Sequence, residues 1–188
     1  MPTFTSDRER RLWFWAAAVV LAICATLGLA GTLAGLLRDR NLLDASFGLG
    51  LLVVMAAIVG SGIRRRPGGR EFWIAAGVVA VYGIVILRMG IGPEERTHLI
   101  EYAVVALLLY HALDERRRNG GPLRSPAVLA IAVTALLGLV DELIQALISS
   151  RVFDYRDIGF NALAALMAVT GSVVVGYIAA RLGSHYRN

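Results

Sequence analysis

The chain has 188 residues, 57% of them hydrophobic, and a mean hydropathy of +0.64. A soluble domain of this length would carry more polar surface, so the composition predicts a polytopic α-helical membrane protein. All 19 basic residues are arginine. Because they cluster at the ends of apolar stretches, they indicate membrane orientation, and we expect no nucleic-acid partner. The single cysteine excludes an intramolecular disulfide and a cysteine-based metal site.

Six apolar segments, separated by stretches rich in arginine, glycine or proline, are candidate membrane spans. They cover about residues 13–37, 42–63, 71–89, 98–113, 126–148 and 158–180. Ser125 and Pro126 are residue types typical of a helix start, as the N-cap and the first helical residue. Thirteen arginines lie on the side of the N-terminus and six on the opposite side. The positive-inside rule therefore predicts an all-α bundle of about six spans with both termini in the cytoplasm.

Small residues predict two close-packed helix faces, since they let neighbouring backbones approach. One face, in the first span, consists of Cys24, Gly28, Gly31 and Gly35. The other, in the sixth span, consists of Ala164, Ala165, Ala168, Gly171 and Ser172.

Polar side chains interrupt the last three spans at one depth. Glu142 lies inside an apolar run about two helical turns from its end, where a carboxylate at mid-membrane costs about 2.5 to 3.5 kcal/mol. Counting 1.5 Å per residue from the cytoplasmic end of each span places these residues in the outer leaflet. Their spacings of three and four residues place them on common helix faces. We expect a cleft ringed by His98, Glu101, Tyr102, Asp141, Glu142, Gln145, Arg151, Asp154, Asp157 and Asn161.

A purely structural interpretation of these residues stays open. Arg151 could neutralise Glu142 or Asp157, and Gln145 with Asn161 could form interhelical hydrogen bonds. Asp141 is the member best suited to a structural or lipid-facing position.

Three separated motifs resemble the VanZ-like family. His98 and Glu101 open one helix, Glu142-x-x-Gln145 ends the next, and a run from Arg151 through Asp154 and Asp157 to Asn161 leads into the last. The resemblance covers roughly residues 71–188, which implies a VanZ-like four-helix core there. Residues 1–70 then form an N-terminal addition of two transmembrane helices.

The resemblance implies a multi-pass protein of the bacterial cytoplasmic (inner) membrane, with its site facing the extracytoplasmic side. It also implies a cell-envelope role linked to resistance to the glycopeptide teicoplanin. Buried paired carboxyls suit general acid and base catalysis, so we expect an intramembrane hydrolase or transferase acting on a membrane lipid or lipid-linked sugar. The expected catalytic residues are Glu142, Glu101, Asp157 and His98. The expected substrate-binding residues are Arg151, Gln145, Asn161, Tyr102 and Asp154.

Two alternatives remain at this stage. We expect no cofactor or metal, but one divalent ion held by His98, Glu101, Glu142 and Asp157 is the alternative. The alternative function is a non-catalytic lipid- or antibiotic-binding protein, or a lipid or proton-coupled transporter. The absence of a sequence repeat argues against the transporter. The sequence leaves the oligomeric state open.

Overall fold

The computed structural model describes residues 3–26, 30–62, 77, 93–147 and 154–185. All the regular elements in these residues are helices, which confirms the all-α prediction for this part of the chain. They are α1 (Asp7–Thr26), α2 (Ala30–Asp39), α3 (Leu43–Gly62), α4 (Pro93–Arg118), α5 (Pro126–Gln145) and α6 (Tyr155–His185). The predicted span at 71–89 lies outside the described residues except for Gly77.

Two of the described helices are long and apolar enough to cross a bilayer. They are α5, over Pro126–Gln145, and the part of α6 from Tyr155 to Ile178. Each begins close to the start of its predicted span. These two helices indicate a membrane protein, while the number of spans stays a prediction.

Helices α4 and α6 form the centre of the bundle. They pack against each other, with α3 and α5 against both and α1 against α4. One apolar cluster joins α3 to the centre through Val54, Met55 and Leu99. A second joins α1 to the centre through Ala16 and Ile23. Close van der Waals packing of these side chains against α4 and α6 contributes to helix association, in a membrane as in water.

The predicted small-residue face of the sixth span is confirmed in α6. All five of its residues are buried, and Ala164 and Ala168 lie in the apolar cluster with α3 and α4. The corresponding prediction for the first span is wrong where it can be seen. Cys24 is exposed and a Cβ on Gly35 would meet nothing within 4 Å. Helix α1 instead buries Ala16 and Ile23 in the apolar cluster with α4, where they are in close van der Waals contact with its side chains.

The buried face of α5 consists mainly of small residues along most of the helix and of acids and an amide in its last turn. Pro126, Ala130, Thr134 and Gly138 are buried at intervals of four residues, and Asp141, Glu142 and Gln145 continue the same face. The helix begins at Pro126 as predicted, but the Ser125 side chain makes no capping hydrogen bond. A face of small residues thus brings α5 close to α4 and α6, and its last turn carries acids into the same interface.

Candidate functional site

The last turn of α5 carries two carboxyl groups and an amide. Glu142 is fully buried, and Asp141 and Gln145 are nearly so. The Gln145 amide nitrogen lies 3.1 Å from Asp141 Oδ2 and 3.3 Å from Glu142 Oε1, as donor to both. Spacings of three and four residues place the three side chains on one helix face. The Gln145 amide therefore bridges the two carboxyls.

Asp141 faces the interior of the bundle, so its lipid-facing alternative is wrong. The side chain is 3% exposed. The Tyr102 hydroxyl on α4 donates a hydrogen bond to this side chain, which links α5 to α4. The second carboxyl oxygen, Oδ1, is buried and has no hydrogen-bond partner within the described residues. Asp141 thus contacts Tyr102 through its side chain, and its Oδ1 atom has no donor among the described residues.

The start of α6 contacts Glu142 from the other side. The backbone N–H of Asp154 donates to Glu142 Oε2 at 3.3 Å. Asp154 Oδ1 in turn accepts from the N–H of Arg156 at 2.8 Å, as an N-cap side chain does. Asp157, in the first turn of α6, is close enough for its charge to act on Glu142. Glu142 therefore lies between two neutral N–H donors and beside other acids.

Gly138 allows α5 and α6 to approach at Asn161. A Cβ on Gly138 would lie 2.8 Å from Asn161 Cβ and 3.0 Å from its Nδ2, closer than real Cβ atoms come. Asn161 is fully buried, and neither its Nδ2 nor its Oδ1 has a hydrogen-bond partner in the part of the chain described. Buried amides are almost always hydrogen-bonded in native proteins. The described residues therefore leave both the donor and the acceptor of the Asn161 amide without a partner.

The structure brings together six of the residues predicted to ring the cleft. We call this set the acidic cluster: Tyr102, Asp141, Glu142, Gln145, Asp154 and Asn161. Glu101, next to Tyr102, and Asp157 are half-buried at its edge. His98 lies in α4, but its side chain is outside the description, and Arg151 lies outside the described residues. The catalytic and substrate-binding roles assigned to all of these residues stay predictions.

The metal alternative also stays a prediction. Among the described side chains, no three His, Cys, Asp or Glu residues are placed to hold a metal ion. The proposed ligand His98 is not among those side chains.

A second fully buried glutamate, Glu9, was missed by the sequence analysis. Its Oε1 accepts from Arg116 Nε at 2.6 Å and from the Trp13 indole nitrogen at 3.3 Å. Its Oε2 accepts from the backbone N–H and the hydroxyl of Thr5, both at 2.7 Å. Four donors, one of them charged, thus satisfy this carboxylate.

The run Ser6-x-x-Glu9 at the start of α1 is the sequence feature that predicts a structural role for Glu9. This spacing is typical of a capping box. Ser6 Oγ accepts from the Glu9 N–H at 3.1 Å as the motif predicts, whereas the Glu9 carboxylate binds Thr5 instead of the N-cap N–H. The pairing with Arg116 could not be predicted from local spacing.

The contacts around Glu9 fasten α1 to the end of α4. Arg116 also donates to the Thr3 carbonyl at 2.6 Å. Glu115 accepts from Ser6 Oγ at 3.2 Å and from Arg8 Nη1 at 3.3 Å. We call these residues the N-terminal cluster: Thr3, Thr5, Ser6, Arg8, Glu9, Trp13, Glu115 and Arg116. Its acids are paired with donors from both helices, which is the arrangement of a structural network.

The pKa of Glu9 reflects this pairing. Burial alone raises it, but the hydrogen bonds from Thr5 and Arg116 and the charge of Arg116 outweigh burial. The pKa of Glu9 therefore lies below its ordinary value, and the carboxylate is ionised at neutral pH.

Comparisons with protein-family models, curated proteins and solved structures find no match for this chain. The resemblance to the VanZ-like family therefore rests on the three sequence motifs. At the level of chemistry, the acidic cluster offers a buried carboxyl, Glu142, next to an open carboxyl oxygen on Asp141 and an open amide on Asn161. Such a set can exchange a proton with a bound molecule and hold its polar groups.

Proposed function

We propose that this chain is a VanZ-like protein of the bacterial cytoplasmic membrane, with six spans and both termini in the cytoplasm. The support is the distribution of arginines, together with the two apolar helices α5 and α6. In this orientation the N-terminal cluster lies at the cytoplasmic surface. The acidic cluster, at the other end of α4 and α5, lies in the outer leaflet.

The acidic cluster is then an intramembrane active site. Glu142 exchanges a proton with the substrate, and Glu101 or Asp157 serves as the second carboxyl of an acid and base pair. His98 orients one of these carboxyls. Gln145, Asn161, Tyr102 and Asp154 hold the polar part of the substrate, and Arg151 binds an anionic group such as a phosphate. The substrate is a membrane lipid or a lipid-linked sugar, cleaved or transferred at a bond near the membrane surface.

One observation carries this proposal: Glu142 is fully buried and, among the described residues, its hydrogen-bond donors are neutral N–H groups and the charged groups that act on it are acids. Two neutral hydrogen bonds offset only part of the cost of burying a carboxylate. A structural role favours an opposite charge, as Glu9 has in Arg116. Uncompensated buried acids are typical of sites where proton affinity is used.

A specific observation supports a second candidate, a non-catalytic lipid-binding protein. The lining of an apolar crevice between α1, α4 and α5 includes Asp141 and Tyr102. A site of this shape can retain a lipid without chemistry on it.

The test compares membranes from cells that lack the protein with cells that produce wild type, Glu142→Gln or Glu9→Gln. Lipids and lipid-linked sugars are measured by mass spectrometry, and teicoplanin susceptibility is measured in parallel. We expect wild type and Glu9→Gln to produce the same change in one lipid species per molecule of protein, and Glu142→Gln to produce none. Glu9→Gln is the matched control, because it makes the same change at an equally buried glutamate outside the acidic cluster.

An unchanged lipid composition with every variant, combined with altered teicoplanin susceptibility, would support the lipid-binding candidate instead. Full activity of Glu142→Gln on the lipid would overturn the catalytic proposal.

A further inference from the structure

Arginines cluster at the end of the bundle where α1 begins and α4 ends. Three lie at the start of α1, three in the last turn of α4, and one in the connection to α5. Leu123, in this connection, packs against the apolar cluster that joins α1 to α4, so the connection lies at the same end of the bundle. We call these residues the arginine patch: Arg8, Arg10, Arg11, Arg116, Arg117, Arg118 and Arg124.

The acids that pair with these arginines are more deeply buried than the arginines themselves. The Asp114 side chain is 7% exposed, whereas its partners Arg117 and Arg118 are 47% and 43% exposed. Glu115 is 17% exposed, and its partner Arg8 is 54% exposed. The carboxylates lie inside and the guanidinium groups outside, so the surface at this end is basic.

The arginine patch keeps positive charge and N–H donors for a further partner. Arg11 and Arg124 are exposed, and neither forms an ion pair with a described residue. Among the described acids at this end, only Asp7 is well exposed, and its pair with Arg10 is an exposed one that contributes little. A guanidinium has five N–H groups, and pairs of them match the oxygens of a phosphate. The patch therefore fits a phosphate group.

Exposed aromatic side chains on α1 lie beside the arginine patch. Phe14 is 65% exposed and Trp15 is 57% exposed, and their rings are in edge-to-face contact with centroids 5.6 Å apart. They follow Arg11 by three and four residues, or about 4.5 to 6 Å along the helix. Exposed aromatic residues of this kind are typical of the boundary between the apolar membrane core and the head groups. In a bilayer the arginines then lie at the level of the lipid phosphates.

We propose that the arginine patch binds the phosphate of an anionic phospholipid such as phosphatidylglycerol. At this end, seven arginines stand against four acids among the described residues. A zwitterionic lipid brings its own cation, so it gains less from this excess of positive charge. The acyl chains lie along the apolar surface that begins at Phe14 and Trp15. In the orientation proposed above the lipid belongs to the cytoplasmic leaflet, whereas the binding itself depends neither on the orientation nor on the acidic cluster.

Energy transfer from tryptophan to a dansyl-labelled phosphatidylglycerol measures this binding, because Trp13 and Trp15 lie next to the patch. The full-length protein is purified in an uncharged detergent. The dansyl lipid is then displaced by unlabelled phosphatidylglycerol, by phosphatidylcholine with the same acyl chains, or by the soluble sn-glycerol 3-phosphate. We expect phosphatidylglycerol to displace it at a concentration about tenfold lower than phosphatidylcholine, and glycerol 3-phosphate not to displace it.

Two double variants locate the site. Arg11→Gln with Arg124→Gln removes two arginines that have no ion pair in the described chain, so the Tm should not change. One arginine near the membrane surface contributes about fivefold to the affinity for an anionic lipid, so this variant should bind phosphatidylglycerol about 25-fold more weakly. Arg40→Gln with Arg156→Gln is the matched control, because it removes two exposed arginines from the other end of the bundle. Its affinity for phosphatidylglycerol should equal that of the wild type.

Equal displacement by phosphatidylglycerol and phosphatidylcholine would overturn the proposal. Displacement by glycerol 3-phosphate at the same concentration would also overturn it, since the patch would then be a site for free anions. An equal loss of affinity in the two double variants would show that only the total charge matters. Glu142→Gln should bind phosphatidylglycerol as the wild type does, because the acidic cluster lies at the other end. Lipid turnover that depends on Glu142 without any preference for phosphatidylglycerol would therefore refute this inference alone.

Discussion

Glu9 and Glu142 are both fully buried glutamates, but their surroundings differ. Glu9 accepts four hydrogen bonds, including one from the guanidinium of Arg116. Within the part of the chain that the structure describes, Glu142 accepts from a side-chain amide and a backbone N–H, and the charged groups that act on it are acids. The N-terminal cluster gives Glu9 a charged donor, whereas the described residues of the acidic cluster give Glu142 only neutral donors.

The difference is the reason for placing the proposed function at the acidic cluster. A buried charge that is paired and hydrogen-bonded can be retained for stability alone, because its partners offset the cost of desolvation. A buried acid with weaker compensation reduces stability, so it is retained for another reason. The two clusters can be separated experimentally, because the same Glu→Gln change has opposite expected effects in each.

The largest expected effect is on activity. Glu142→Gln should lower lipid turnover by about 100-fold or more, because loss of a general acid or base typically costs that much. Thermal unfolding in detergent should show an unchanged or raised Tm, since the change removes a buried carboxyl that has only neutral donors among the described residues. A variant that stays active but unfolds more readily would show that Glu142, like Glu9, has a structural role.

The next effect is on stability. Arg116→Met should lower the free energy of unfolding by about 2 to 3 kcal/mol, because the buried Glu9 carboxylate loses its charged partner and keeps only neutral donors. Because the Arg116 side chain is partly exposed, the expected loss of unfolding free energy is smaller than for a fully buried ion pair. Thermal unfolding of the detergent-solubilised protein measures the loss. Lipid turnover per folded molecule should not change, and a parallel fall in turnover would mean that the two clusters are coupled.

A third prediction concerns the close approach that positions Asn161. Gly138→Ala should destabilise the protein by about 1 to 3 kcal/mol, because the new Cβ overlaps Asn161 Cβ. Adding Asn161→Ala leaves the overlap with that Cβ and removes the one with Nδ2, so it should restore only part of the loss. Unfolding of the four members of this double-mutant cycle measures the coupling. Full tolerance of Gly138→Ala would show that α5 and α6 are less tightly packed here.

The smallest effect is the response of the N-terminal cluster to pH. The pKa of Glu9 in the folded protein lies below its ordinary value of 4.5, so the contribution of Glu9 to stability is fully present above pH 4.5. It is lost as pH falls through the lower, folded pKa. Wild type should therefore lose more stability than Glu9→Gln between about pH 5 and pH 3. Parallel Tm curves for the two proteins would show that Glu9 carries no such contribution.

Some features of the molecule follow from the sequence by local rules. The apolar segments predicted helices at positions that agree with α3, α5 and α6, and Pro126 marked the start of α5. The small residues of α6 predicted its buried face, because helical periodicity places Ala164, Ala168 and Ser172 on one side. The unusual cost of acids in apolar helices singled out Glu142, and spacing alone placed Gln145 beside it.

Other features depend on contacts between distant parts of the chain, which only the tertiary structure decides. The sequence left Asp141 with a lipid-facing alternative, and only the packing of α4 against α5 decided that its side chain contacts Tyr102. The glycine spacing in the first span suggested a packing face, but the contact with α4 selected Ala16 and Ile23 instead. The pairing of Glu9 with Arg116 joins residues 107 positions apart. Such long-range contacts decide whether a buried acid has a charged donor. This contact separates Glu9, the structural glutamate, from Glu142, the candidate functional one.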